Sequence, residues 1–145
     1  MAKKNASPDT RGLTQLGRQV NAPSRALETF PNRSQGRDTV VSLRTDEFTC
    51  LCPMTGQPDF ARVCVQYVPG KKIVESKSLK LYFWSFRNEG VFHERVTNII
   101  LDDLVKALAP KWCRVTGDFS VRGGIGIKVV AEHNPKNAPR ADLLV

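Results

Sequence analysis

The chain has 145 residues, with 22 Lys/Arg against 14 Asp/Glu and a formal net charge of +8; that length allows one hydrophobic core and not two independent ones. No apolar run approaches the roughly 18 to 20 residues of a membrane span, and the start MAKKNASPDT lacks the apolar stretch of a secretory signal, so a cytoplasmic protein with no membrane partner is expected. Residues 1–37 hold seven Lys/Arg against two acidic residues and residues 38–131 thirteen against ten, so the excess charge sits in a polar arm that reads as a solvated tail ahead of a nucleic-acid reader.

Residues 1–36 carry Pro8, Pro23 and Pro31 without a sustained apolar period and are expected to form a flexible basic extension. A domain over 37–133 and a tail over 134–145 follow it. From Thr39, the residues Val40, Val41, Leu43 and Phe48 predict a strand, ending in an irregular segment from Cys50 to Pro58 that reads as a loop displaying side chains. In Phe60–Val68, Val63, Val65 and Tyr67 alternate with Arg62, Cys64 and Gln66, a second strand closed by Pro69-Gly70. Two helices come next, from about Ser76 to Asn88 and from about Phe92 to Leu108. The second is amphipathic, with Val96, Ile99, Ile100, Leu104 and Leu108 opposite Arg95, Asp102, Asp103 and Lys106. The first, carrying Leu79, Leu81, Tyr82, Phe83, Trp84 and Phe86, has little polar face, which predicts burial against another subunit. Trp112–Val121 and Gly126–Ala131 read as strands joined through Arg122-Gly123-Gly124. The order strand, strand, helix, helix, strand, strand favours an antiparallel α+β fold.

Four constellations carry chemistry. In FTCLCPMTGQPDF, residues 48–60, Cys52 precedes a proline and Asp59 stands seven residues on. The pair reads either as a nucleophile with a proton donor or as a small buried cysteine and a turn-forming aspartate. In VESKSLKLYFWSF, residues 74–86, Glu75, Ser76, Lys77 and Lys80 open the first helix. Its orphan N–H groups either receive a phosphate or anionic cofactor edge or form an ordinary capped start. In FHERVTN, residues 92–98, Glu94 beside His93 offers a carboxylate for two parallel hydrogen bonds from a guanine-like base, or simple capping. Arg122-Gly123-Gly124 suits phosphate or a plain hairpin. The cysteines Cys50, Cys52, Cys64 and Cys113 show no paired C-x-x-C spacing. A zinc-dependent pterin or purine hydrolase would need three or four of Cys50, Cys52, Cys113 and His93 to converge, and a basic RNA-binding module would work through the N-terminal arm.

The runs CPMTGQPDF, VESKSLKLYFWSFRNEGVFHERVTNII and VRGGI, in this order, closely resemble the single-module 7-cyano-7-deazaguanine reductases over roughly residues 38–128. That resemblance implies the tunnelling fold (T-fold), in which antiparallel sheets and helix pairs from several subunits join into a barrel with active sites between subunits. A homo-oligomer is then expected, a decamer being one such assembly. It further implies NADPH-dependent reduction of the nitrile of 7-cyano-7-deazaguanine to the aminomethyl product, a step of tRNA queuosine biosynthesis, with no metal and no direct nucleic-acid partner. By matching position, Cys52 falls at the nucleophile that forms a thioimide and Asp59 at the proton donor. Val74, Glu75 and Ser76 match substrate contacts, His93 and Glu94 match residues holding the deazaguanine ring, and Ser76, Lys77, Arg122 and Gly123 match positions near NADPH. The chain departs from the pattern at Cys50, where many relatives carry a hydroxyl residue, and in its long basic arm. Cys50 either forms a transient protective disulfide or packs, and the segment NPKNAPRADLLV is assigned no role.

Overall fold

The alternation read at Phe60–Val68 belongs to an inner strand of a four-stranded antiparallel sheet. The computed structural model describes residues 8–19 and 22–137. In chain order its strands are β1 (Thr29–Pro31), β2 (Val41–Leu51), β3 (Pro58–Val68), β4 (Lys72–Val74), β5 (Trp112–Arg122) and β6 (Ile125–His133). Helices α1 (Ser76–Trp84) and α2 (His93–Leu108) lie between β4 and β5. The main sheet runs β2-β3-β5-β6, and β1 pairs with β4 in a separate two-stranded sheet.

One face of the main sheet forms the core. Val63, Val65 and Tyr67 of β3 and Val115 and Phe119 of β5 are buried there against Leu79, Tyr82 and Phe86 from α1 and its exit turn, and Val96, Ile100, Leu104 and Leu108 from α2. Each such side chain contributes about 1.5–3 kcal/mol by leaving water. The opposite face is covered at its middle as well. Cys64 stands in register between Arg44 and Thr116, and Gln66 between Ser42 and Arg114. Both are buried, as fits short side chains on a strand flanked on either side. The β5–β6 turn holds Gly123 and Gly124 at φ 57° and 80°, the paired positive angles of a two-residue hairpin loop.

Three expectations are corrected. The arm before Gly36 is not all extension: β1 lies on β4, Glu75 N–H donates to Glu28 O (2.8 Å), and buried Asn32 donates through its side chain to Gly70 O (2.9 Å). Upstream, Ser24 N–H donates to Leu81 O, and the Arg25 guanidinium lies 3.7 Å over the Phe86 ring while pairing with Glu89. Second, α1 ends at Trp84 instead of Asn88. The chain tightens into short turns so that Glu89 O accepts from Leu51 N–H (2.9 Å) and Val91 N–H donates to Leu51 O (3.0 Å). Third, the irregular segment is narrower than Cys50–Pro58, because β2 continues to Leu51 and β3 begins at Pro58. Asp59 is therefore a strand residue, in register with Cys50. Of the tail over 134–145, residues 138–145 lie outside the described residues. Among the described residues no helix is long and apolar enough to cross a membrane.

Candidate active site

Cys52 sits where β2 turns back toward β3. Gly56 N–H donates to Cys52 O (2.9 Å), and Cys52 N–H donates to Gln57 O (2.8 Å). The segment Cys52-Pro53-Met54-Thr55-Gly56 thus follows the logic of a helix N-terminus one turn long. Cys52 is the cap, and Pro53 occupies the next position, where a missing N–H costs nothing. Gly56, at φ 70°, ends the turn in the left-handed region. The sulfur stands where a Ser or Asp cap oxygen would stand. The Thr55 hydroxyl and the backbone N–H groups of Thr55 and Met54, its neighbours in the turn, favour the charged form of the sulfur. These groups, the Thr55 hydroxyl first, pull the thiol down to about 7; the Arg122 guanidinium adds to them and burial opposes. The half-buried Cys52 therefore ionises more readily than a free thiol.

Asp59, only 4% exposed, is held from both sides. The Arg122 guanidinium donates to Oδ1 (2.5 Å), and Nε2 of His93 lies 3.2 Å from Oδ2. Arg122 also donates to Gln57 Oε1 (2.9 Å), and the guanidinium favours the Cys52 thiolate, so one guanidinium acts on thiol, carboxyl and turn. His93 opens α2 with its ring stacked on Phe119, the centroids 3.9 Å apart. The adjacent Glu94 is exposed. Gly117 gives Phe119 and Thr97 their room, since a Cβ there would meet both at 2.8 Å.

The structure brings together Cys52, Asp59, His93, Glu94, Arg122 and Gly123 at one end of the sheet. Val74, Glu75, Ser76 and Lys77 lie at the other end, where Tyr67 Oη accepts from Val74 N–H (3.1 Å). Asp59 and Tyr67 are eight steps apart on β3, about 26 Å at the ordinary rise per residue. Of the two readings of the α1 N-terminus, the capped start is the one formed: Glu75 caps it with its own carboxylate, accepting from Lys77 N–H (2.9 Å) and Ser78 N–H (2.8 Å). A groove of about 540 Å³ between α1 and the β2 edge begins at Ser76 and carries Arg44, Lys80 and Arg87 around Leu79 and Trp84. Glu47 lines the same groove beside these cations, and its mixed polar and apolar walls are of a size to take a small-molecule ligand.

The same span of β3 splits the zinc candidates, and among the described residues no three His, Cys, Asp or Glu side chains are grouped so as to hold a metal ion. Cys113 is in register with Tyr67 and Cys50 with Asp59, so these two cannot ligate one ion at about 2.3 Å. Cys50 is fully buried, and burial above all, then Asp59, pushes its thiol up to about 11, which favours packing for this residue.

A family model described as QueF-like protein matches residues 58–138. The NADPH-dependent 7-cyano-7-deazaguanine reductase of Syntrophus aciditrophicus is 60% identical over 133 residues, covering 92% of this chain and 94% of that protein. The chain belongs to the QueF-like protein family. The reductase of the same description from Anaeromyxobacter sp. strain K is 61% identical over 116 residues, 80% of this chain and 95% of that one. Among solved structures, the archaeosine synthase QueF-Like in its apo form matches with a TM-score of 0.61 and 28% identity, over 64% of this chain and 91% of that one. A QueF-like α+β architecture of antiparallel strands and two helices is what the T-fold expectation required. Sequence reasoning about this QueF-like chain missed Thr55, Gln57 and Phe119. Thr55 carried a signal, as a hydroxyl residue three positions after a cap and just before the glycine that ends the turn.

Proposed function

We propose that this chain is an NADPH-dependent 7-cyano-7-deazaguanine reductase, converting the nitrile of its substrate to an aminomethyl group. The observation that carries this reading is the half-buried Cys52 thiol, drawn down to about 7 in its capped turn and linked through Arg122 to the buried Asp59. The sulfur adds to the nitrile carbon, forming a C–S bond while the nitrile nitrogen takes a proton from Asp59, which yields a thioimide. NADPH, when bound, supplies hydride. After the first reduction the C–S bond breaks, Cys52 leaves as thiolate, and the resulting imine takes a second hydride and proton to become the amine. The site must hold that imine away from water. The exposed Glu94 reads the guanine edge, with His93 beside it.

The active site is assembled between copies of this chain in a homo-oligomer, with the decamer as the assembly expected from the resemblance. Two observations support this. Val74, Glu75, Ser76 and Lys77 stand a strand's length from Cys52 within one chain, so a neighbour has to bring them to the substrate and to NADPH, opposite Arg122 and Gly123. The catalytic end is also rimmed by Met54, Phe60, Phe92 and Val121, each more than half exposed, an apolar collar suited to a covering subunit. The protein works in the cytoplasm on a small molecule, with no nucleic acid in the site. Four free cysteines, one of them the nucleophile, suit a reducing compartment.

Intact mass after mixing protein with 7-cyano-7-deazaguanine, without NADPH, tests the reading. Wild type gains one substrate mass that NADPH discharges, and Cys52→Ala gains none. A folded wild-type protein that forms no adduct overturns it.

A further inference from the structure

The Glu28 carboxylate faces back along the chain. Thr14 N–H donates to both of its oxygens (2.9 and 3.0 Å), Gln15 N–H to Oε2 (3.3 Å), and the Thr14 hydroxyl to Oε1. From Gln15 the chain turns tightly: Arg18 N–H donates to Gln15 O (3.2 Å), with Gly17 at φ 75° in the third position, where a positive φ favours glycine. The turn ends with Arg18 O accepting from Nζ of Lys77. Farther back, Arg33 Nε donates to Asp9 Oδ1 (2.7 Å). Residues 9–18 thus form a strap against the start of α1, latched at Glu28. The backbone of Glu28 is itself tied to that start, through Glu75 N–H (2.8 Å) and Ser78 Oγ (2.9 Å).

A lysine ammonium has three N–H donors on a four-carbon stem that is free to swing. Here one donor is spent on Arg18 O, which leaves two and fixes their direction. The neighbouring carboxylates are already taken up by backbone donors, Glu28 by Thr14 and Gln15, and Glu75 by Lys77 and Ser78. The charge of Lys77 is therefore held in place and left to an anion from outside the chain. We propose that Glu28 is a positioning residue: through the turn Gln15–Arg18 it holds the Lys77 ammonium ready for a phosphate of NADPH. The role rests on the reading of NADPH as the cofactor with Lys77 beside it. Ordering the lysine before NADPH arrives removes part of the entropy that binding otherwise costs, so the strap acts on cofactor affinity and not on the thiol a strand's length away.

The test is a double-mutant cycle on the NADPH dissociation constant, read by NADPH fluorescence without nitrile, in wild type, a chain lacking residues 1–19, Lys77→Ala and the two combined. Truncation alone is expected to raise Kd about three- to tenfold, the value of one ordered long side chain. In the Lys77→Ala background it adds less than about twofold, because the lysine it positions is gone; the cycle thereby separates the strap from the loss of the arm's own positive charge. A second readout needs no cofactor. Lys77 is half-buried and Lys80, one turn on, is exposed, so acetylation by limiting acetic anhydride, read from fragment masses, should quicken several-fold at Lys77 relative to Lys80 on truncation. Glu28→Gln, which keeps the size and removes the charge of the latch, shifts both readouts the same way by less, and it carries the comparison if the truncated chain fails to fold. An unmoved Kd, a truncation effect as large without Lys77 as with it, or unchanged Lys77 acetylation overturns the proposal. Wild type that shows the expected cycle yet forms no nitrile adduct loses the reductase reading and keeps the strap; normal adduct formation beside a Kd that truncation does not move removes the Glu28 role alone.

Discussion

Arg122, the last residue of β5, donates to Oδ1 of Asp59, the second residue of β3, while His93 stands 3.2 Å from Oδ2. Both oxygens of a buried carboxyl are therefore engaged before any substrate arrives. Asp59→Asn keeps the size of the side chain and removes its capacity to give a proton to the nitrile nitrogen. Steady-state NADPH oxidation is expected to fall by about 10²- to 10⁴-fold, with alkylation of Cys52 retained. Turnover within a few-fold of wild type would remove Asp59 as the donor.

The rate of adduct formation follows the thiolate. With the Cys52 thiol lowered to about 7, the rate is expected to rise about tenfold per pH unit below that value and to level off above it. The same shift carries a sign for stability. A group whose folded pKa is depressed stabilises the fold above its unfolded pKa, and the contribution fades as pH falls through the folded value, here about 7. Stopped-flow binding and thermal melts between pH 6 and 9 check both. Arg122→Gln should raise the alkylation midpoint, since the guanidinium charge favours the thiolate.

Gly117 leaves the space that lets Phe119 stack on His93 and Thr97 donate to His93 O (2.8 Å). Gly117→Ala is expected to cost about 1–3 kcal/mol by overpacking and to raise KM for the nitrile, because the displaced Phe119 and Thr97 shift His93. Urea denaturation gives the first quantity and initial rates the second. A variant destabilised with KM unchanged would separate the packing from substrate binding.

Mixing two inactive forms tests whether the site spans subunits. Cys52→Ala spoils the half of the site at the Asp59 end, and Lys77→Ala the half at the α1 end. Dissociated together and reassembled, they should recover about a quarter of wild-type activity if each site draws its halves from different copies. If one chain supplies both halves, mixing restores nothing.

Much of the architecture was legible because it rests on period. The alternation of Val63, Val65 and Tyr67 and the helical spacing of Val96, Ile100 and Leu104 appear as written, and Gly123-Gly124 turned the chain where expected. β1 and β4 were not legible. Three residues carry no period, and Pro31 argued against a strand although it stands at the end of one. The nucleophile and its partners were named from resemblance, whereas the clasp of Arg122 on Asp59, 63 residues apart, is a tertiary contact with no local signal. Glu75 was legible as one of several polar groups at the start of α1, but its use as the cap of that helix was not, a use rarer for Glu than for Asp or Ser.

The strand β1 bears on how the chain can be shortened. From composition, residues 1–36 are the obvious part to trim, being basic, proline-bearing and without periodicity. Yet Glu28 O is the acceptor for Glu75 N–H, Ser78 Oγ accepts from Glu28 N–H, and Arg25 grips Glu89 at the turn whose carbonyl holds Leu51, the residue before Cys52. A cut at Gly36 would free both ends of α1 at once, loosening the start of that helix and the Cys52 turn together, while a cut ahead of Ala22 would spare every one of these contacts. The arm is in effect a seam between the start of α1 and the turn that carries Cys52, and its apparent disposability is a property of its letters alone.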